Sequence, residues 1–506
     1  MNVVVYIMDS VRADHVSAYG YDRPTTPTID ELAADGVLFE HCVSPSTWTR
    51  PIAASLLTGL YPSVHGTTTV EHGFNPPIPT VSEQLSANGY CTLGITGMPV
   101  LRAENGFDEV FDQYINAFER GDRLKERPSD LRFSDGTFLP RAEDLVNIFQ
   151  QWETHRDSDE PFFALLWSNE PHQPYRPPEE YRTYADNAYD GPIIPTTEEF
   201  SQSHAVESEA DLEQFIAYYD GEIEYDDACL SNLIDYLREK DLYQETLLVV
   251  AADHGEGFGE HSYQGEYFGH GSGIPPFQEV VHVPCVIRVP EKEVTEQRIS
   301  ELTSLVSIPE TIRDYCDLQS PLDDELAPHS WGPVLKGDNE SKSNDSGNER
   351  NVYVVSDRMR PYGIADGWYC VHTGEWQYME YIPGDRTFTD VLAIAKAAVS
   401  KDNLQFVLRN PISSIQEHLL PMIDMIEVSN ESDSERVPGR LYHIGKSTTD
   451  DDISGEYPNK AGELRKELVD WLVWCSQQKD SLNTVEHRLN FEDEIKSQLK
   501  QLGYIK

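Results

Sequence analysis

Asp9, Thr49, Asp253 and His254 are the residues of this 506-residue chain whose types could do chemistry together. Two carboxylates, a hydroxyl and an imidazole make a mixed oxygen and nitrogen donor set. Such a set suits one divalent ion, manganese or zinc before calcium or magnesium, because calcium favours shells made wholly of oxygen. An ion held there lowers the pKa of the Thr49 hydroxyl and shields an incoming anion, which makes the threonine a usable nucleophile. His172, in SNEPHQPY, and His270, in EYFGHGSG, add imidazoles able to hold non-bridging oxygens or protonate a leaving group. The reaction implied is displacement at a tetrahedral phosphorus or sulfur centre. Singly, each residue has a plainer reading: Thr49 as a helix cap, Asp9 and Asp253-His254 as turn residues, the other histidines as loop residues. Only their coincidence points to a site.

Positioning falls to the elements that end at these residues. NVVVYIM (2–8) reads as a buried strand ending in Asp9, and TLLVVAA (246–252) as a second ending in Asp253-His254. PFFALLWS (161–168) is a third, running into Asn169-Glu170-Pro171-His172. Helical patterns lie between the strands. TPTIDELAADG (26–36) has Thr26 as cap, Pro27 at the first helical position and Gly36 past the end. PTVSEQLSANGY (79–90) repeats that grammar ahead of the strand CTLGIT (91–96), and EDLVNIFQQWE (143–153) and YDDACLSNLIDYLREK (225–240) each precede a strand. WTRPIAASLLTG (48–59) reads as a short helix capped at Thr49, with Pro51 in its first turn and Gly59 as its stop. The free N–H groups of that helix start favour an anionic oxygen. Strands alternating with helices predict an α/β fold with a mostly parallel sheet, in which ligands bind beyond the carboxyl ends of the strands.

Composition narrows the classes. The balance of 88 Asp and Glu against 39 Lys and Arg gives a net charge of −49, spread along the whole chain. Nucleic acid and anionic membrane surfaces call for the opposite sign. A diffuse acidic surface fits solubility in concentrated salt, so the expectation is a cytoplasmic protein of a salt-accumulating halophile. The seven cysteines are scattered with no CxxC pair, against both a disulfide framework and a thiolate zinc site. No leader precedes VVVYIM and no apolar run is long enough to span a bilayer, so no integral membrane segment is expected. The polar stretch LKGDNESKSNDSGNER divides the chain into a catalytic domain at 1–334, a linker or loop at 335–350 and a C-terminal subdomain at 351–506.

In order and spacing, MDSVRADHVSAYGYDRPTTPTIDELAADG, LLTGLYPSVHG, PFFALLWSNEPHQPY, YYDGEIEYDDACLSNLI and VVAADHGEGFGEH with the later FGHG resemble the sulfatase family of the alkaline phosphatase superfamily. The likeness runs along most of residues 2–290; RLYHI (440–444) and the terminal helix are more faintly similar to the family's smaller C-terminal subdomain. The resemblance implies an alkaline phosphatase-like fold, a large mostly parallel sheet flanked by helices with a smaller α+β subdomain. It also implies an enzyme acting on an anionic ester, either a small molecule or one linked to a glycan or lipid.

The departures bear on mechanism. Sulfatases of this family carry Cys-x-Pro-x-Arg, whose Cys or Ser becomes formylglycine; here the matching residues are Thr49-Arg50-Pro51-Ile52-Ala53. Threonine is not a substrate for that conversion. The paired aspartates after the first strand are Asp9-Ser10, and the Asp-Asn of many calcium sulfatases is Asp253-His254. A threonine with one acid and an Asp-His pair looks like the single-manganese site of phosphoglycerol transferases. Nucleotide pyrophosphatases also use Thr-x-Pro, but the Asp-x-x-x-His of their second zinc has no counterpart near Glu170 and His172, so one metal is expected. The leading expectation is cleavage of phosphate mono- or diesters through a covalent Thr49 intermediate. The alternatives are a sulfuric ester hydrolase without formylglycine and a non-catalytic binding protein with a degenerate site.

Overall fold

Every residue from Asn2 to Met8 (β1) is buried, and a run of Val3, Val4, Val5 and Ile7 demands this: cover on both faces and a partner on both edges. The computed structural model supplies both. It describes residues 1–117, 140–156, 160–196, 202–262, 266–290, 297–322, 328–335, 351–359, 365–382, 439–444, 452–484 and 487–488. β1 lies within an eight-stranded sheet whose other members are Val37–Phe39 (β2), Cys91–Thr96 (β3), Gln113–Asn116 (β4), Phe162–Trp167 (β5), Thr246–Ala252 (β6), Cys285–Arg288 (β7) and Gln297–Ile299 (β8). Their spatial order is β8-β2-β7-β6-β1-β5-β3-β4, and only β7 runs against the others.

Register does the positioning. Met8 pairs with Ala252 and Ile7 with Trp167, so Asp9 and Asp253 leave the sheet at one level, with Ser168 one position behind them. The ladder continues past the strand ends: Asp9 N donates to Glu170 O at 2.9 Å and Asp253 N to Met8 O at 3.3 Å. The three strand ends singled out from the sequence are therefore immediate neighbours.

The helices are Pro27–Asp35 (α1), Thr49–Thr58 (α2), Val81–Ala87 (α3), Ala142–His155 (α4), Glu209–Glu239 (α5) and Pro458–Ser481 (α6), with shorter ones between. Two differ from expectation. Thr26 precedes α1, but its hydroxyl accepts from Ser17 N; the free amides of Thr28 and Ile29 instead donate to Asp227 on α5, at 2.8 and 3.0 Å. α5 begins at Glu209, well ahead of the predicted 225, behind the cap Ser208. Gly221 and a dense run of aromatics disguise the helical period there, and Gly221 is needed because a Cβ would lie 2.2 Å from Tyr181 O.

A second sheet of Val352–Met359 (β9), Ala365–His372 (β10), Trp376–Ile382 (β11) and Arg440–His443 (β12) is antiparallel throughout. β9 alternates cleanly. Val352 and Val354 join Val43, Phe277 and Val281, whereas Val355 joins Leu60, Val64 and the α6 residues Leu468 and Leu472. The small sheet thus shares apolar clusters with the main body on both faces. Of the segment expected as a linker, 335–350, only Leu335 lies within the described residues, buried at the end of the short helix Gly332–Leu335. No helix among the described residues is long and apolar enough to cross a membrane.

Tyr6 ties β1 to α5, its hydroxyl donating to the buried Asp226 Oδ1 at 2.5 Å. Tyr6→Phe removes the donor and leaves that buried oxygen without its tyrosine partner, so unfolding in denaturant should show a loss of about 1–3 kcal/mol. Unchanged stability would mean that the pair contributes nothing net.

Candidate active site

Asp9 follows β1 and has both carboxylate oxygens engaged. Ser10 Oγ donates to Oδ1 at 2.6 Å, and Thr49 Oγ1 donates to Oδ2 at 3.3 Å. Ser10 adopts φ 62, a left-handed conformation uncommon outside glycine. That turn lets one residue serve two carboxylates, because Ser10 N also donates to Asp253 Oδ1 at 3.1 Å. The amide of His254 takes the same Oδ1 at 2.8 Å. Asp253 Oδ2 is left buried with no donor, 3.4 Å from His254 Nε2. Outside these contacts, Tyr219 OH donates to Ser10 O at 2.7 Å and accepts from Arg12 N at 2.9 Å, fixing the turn.

The imidazoles are oriented with equal care. His254 Nδ1 donates to Gly255 O at 3.0 Å, so its Nε2 presents a lone pair, 3.4 Å from Thr49 Oγ1. His172 Nδ1 likewise donates to Gln173 O at 2.6 Å. His270 lies between the other two, with ring centroids 4.1 Å from His254 and 4.8 Å from His172, and its Nδ1 is 3.3 Å from Glu256 Oε2. Asp9, Thr49, Asp253 and His254 are all fully buried. The structure therefore brings the sequence-predicted residues to one place.

Burial dominates the electrostatics. It raises the pKa of Asp9 well above the usual carboxylate range, with Asp253 adding repulsion, and raises that of Asp253 in the same sense. Burial also lowers His254 and His270 to about 3 and His172 to about 4, so all three rings are neutral near pH 7. Glu256 is pushed up to about 8, again by burial. Two buried carboxyl groups beside neutral imidazoles that offer lone pairs make a donor set suited to a cation.

Two features depart from the sequence reading. Thr49 is not the helix cap: Trp48 occupies that position and Thr49 is the first helical residue. Its hydroxyl turns away from the free amides of α2 toward Asp9 and His254, because those partners lie on its side of the helix start. The second concerns His270. One donor atom from each of Asp9, His254 and His270 lies within 4.8 Å of the others, so His270, expected only to handle substrate oxygens, also falls within reach of an ion. Ser10 and Glu256 do more than their sequence context suggested. Ser10 supports Asp9 through its hydroxyl, and Glu256, two residues past His254, faces His270 and Gln173. Proximity to the Asp-His pair was the one available signal for Glu256.

The donor set fits a divalent ion, on the observation that Asp253 Oδ2 is buried and without a donor beside a second buried carboxylate. Manganese or zinc should raise the melting temperature of the protein, bind one ion per chain, and be stripped by chelator with loss of the gain. Asp253→Asn should weaken binding by more than about 100-fold, beyond what loss of a merely supporting contact produces. Equal retention of metal by the variant, measured by titration, would remove Asp253 from the set.

Comparison with known proteins bears on the family and the fold. A family model described as Sulfatase matches residues 1–318, more than half of the chain. Among curated relatives, human iduronate 2-sulfatase is 22% identical over 57% of this chain and 60% of its own length. Arylsulfatase from Clostridium perfringens is 22% identical over 82% of this chain and 95% of its own. Among solved structures, a protein captured with its substrate D-glucosamine-2-N,6-O-disulfate superposes with a TM-score of 0.66 at 15% identity, covering 95% of this chain and 98% of that one. The phosphonate monoester hydrolase of Agrobacterium radiobacter gives 0.64 at 18% identity, covering 94% and 96%. With the family model spanning both the central sheet and every strand end that carries the donor set, the chain belongs to the sulfatase family of hydrolases.

Proposed function

We propose that this protein is a metal-dependent hydrolase or transferase that cleaves phosphate mono- or diesters through a covalent Thr49 intermediate. One observation carries the reading: the residue at the nucleophile position is a threonine whose hydroxyl lies 3.3 Å from Asp9 Oδ2 and 3.4 Å from His254 Nε2, at the start of α2. A threonine cannot become an aldehyde hydrate by the route open to cysteine or serine, so its own oxygen must attack. Asp9, Thr49, Asp253 and His254 would hold the ion, which supplies Lewis-acid stabilisation of the nucleophile and of the substrate's charge. Manganese or zinc is favoured over calcium by the imidazole nitrogen and by Ser10, which removes one carboxylate from the set.

The residues divide the remaining work. Thr49 Oγ forms a bond to phosphorus as the ester P–O bond breaks, and its proton departs along the hydrogen bond to Asp9. His172 and His270 meet the non-bridging oxygens. Burial keeps both rings neutral, and the negative charge of an incoming ester favours their protonated forms, so one of them can give a proton to the leaving oxygen. Water or an acceptor hydroxyl then attacks the phosphothreonine and returns Thr49. The substrate is a small anionic ester or one carried on a glycan or lipid. The net charge of −49 supports a working environment of concentrated salt, in a halophile's cytoplasm.

A second reading, sulfate-ester hydrolysis by the same threonine, is favoured by the curated relatives named as sulfatases and by the neighbour solved with a sulfated sugar. Matched aryl phosphate monoester, phosphodiester and sulfate ester, assayed in concentrated KCl with manganese and with chelator, separate the readings. Metal-dependent cleavage of a phosphate ester, reduced by at least about 10³-fold in Thr49→Ala with the fold intact, is the expected result. Cleavage of the sulfate ester alone would transfer the assignment to the second reading. Undiminished turnover by Thr49→Ala would end the threonine mechanism, and failure to bind metal with no turnover would leave a binding protein.

A further inference from the structure

The loop that carries His270 has little conformational preference of its own. It reads GHGSG (269–273), and Gly269, Gly271 and Gly273 hold φ of 103, 144 and 75. Glycines there cost backbone entropy and fix nothing, so the ring position of His270 must be set from outside. Part of what sets it belongs to the small C-terminal sheet.

Ser356 of β9 is fully buried, and its hydroxyl accepts from Gly273 N at 3.0 Å and Ile274 N at 3.1 Å. It also lies 2.6 Å from Thr47 Oγ1, two residues before the candidate nucleophile. Both lone pairs of Ser356 are taken by the amides of Gly273 and Ile274, so Ser356 is a donor, with Thr47 Oγ1 the nearer acceptor and Gly271 O the farther one at 3.5 Å. Thr47 Oγ1 gives its own proton to Gly271 O at 2.7 Å. Gly271 N donates back to Thr47 O at 3.0 Å, closing a ring between the Thr49 and His270 segments. Around it, Ser46 Oγ donates to Val355 O at 2.7 Å and Val355 N to Pro45 O at 3.0 Å.

We propose that Ser356 is a positioning residue for the active site: its hydroxyl pins the glycine-rich His270 loop to the segment leading into Thr49, so that the C-terminal subdomain completes the catalytic constellation. The proposal rests on the phosphoester reading for its effect on turnover, while the pinning itself can be measured without turnover.

The test compares full-length Ser356→Ala, Thr47→Val and their double variant with Val354→Ala, a cavity on the same face of the same strand. Hydrogen exchange followed on the peptide spanning 266–277 should rise in Ser356→Ala and stay near wild type in Val354→Ala. On whichever ester the wild type cleaves, kcat should fall by about 10- to 100-fold with KM little changed, the scale expected from small misplacement of a reacting group. The double variant should be no worse than the poorer single one, because both changes break the same ring. Ser356→Thr, which keeps the hydroxyl, should recover most of kcat. Unchanged exchange in Ser356→Ala overturns the proposal whatever the activity. Raised exchange with unchanged kcat, or an equal kcat loss in Val354→Ala, overturns the positioning role. A wild type silent on every ester defeats the phosphoester reading, and the exchange measurement still decides the pinning.

Discussion

Two carboxylates that repel each other in a medium where neither is well solvated set the terms for this structure. Asp9 and Asp253 leave adjacent parallel strands at the same level, and register allows them no other place. Each is therefore surrounded by fixed donors: Ser10 and Thr49 on Asp9, and the amides of Ser10 and His254 on Asp253. Those donors come from the backbone and from short side chains, so they need no reorganisation when an ion or an anion arrives. Ser10 is the hinge of the arrangement. Only its left-handed conformation lets its amide and its hydroxyl reach different carboxylates, and Tyr219 holds that conformation from behind.

The imidazoles follow from the same constraint. A protonated histidine would neutralise the carboxylates, but burial suppresses that form at all three rings. What remains is a cluster of lone pairs whose tautomers are set by backbone carbonyls at Gly255 and Gln173. The cluster can receive a cation, or can receive protons once an anion brings negative charge. Thr49 fits this economy better as a first helical residue than as a cap, because a capping hydroxyl would be spent on the amides of its own helix.

The C-terminal sheet is chemically part of the main body. Its two faces share apolar clusters with residues of the main body, and β9 meets the segments flanking Thr49 and His270. A chain with weak intrinsic preferences around His270 gains a defined loop by leaning on a strand with strong ones, since β9 is held by eight paired positions along β10.

Much of this was legible in the chain. The apolar runs ending in Asp9, Asp253-His254 and Asn169 to His172 located three strand ends, because buried parallel strands must be apolar throughout and the first polar residue marks the exit. Donor types pointed to a mixed oxygen and nitrogen cluster around Thr49, and the folded chain does bring Asp9, Thr49 and His254 together. Tertiary structure decided what depends on distance through space rather than along the chain: that Asp227 and not Thr26 serves the amides of α1, that Ser10 supports Asp9, that Glu256 faces His270, and that Ser356 reaches Thr47 from more than three hundred residues away. Periodicity and composition report which face of an element is buried. They carry no information about which polar group stands opposite, because a buried hydrogen bond is specified by both partners and only the folded chain brings the two together.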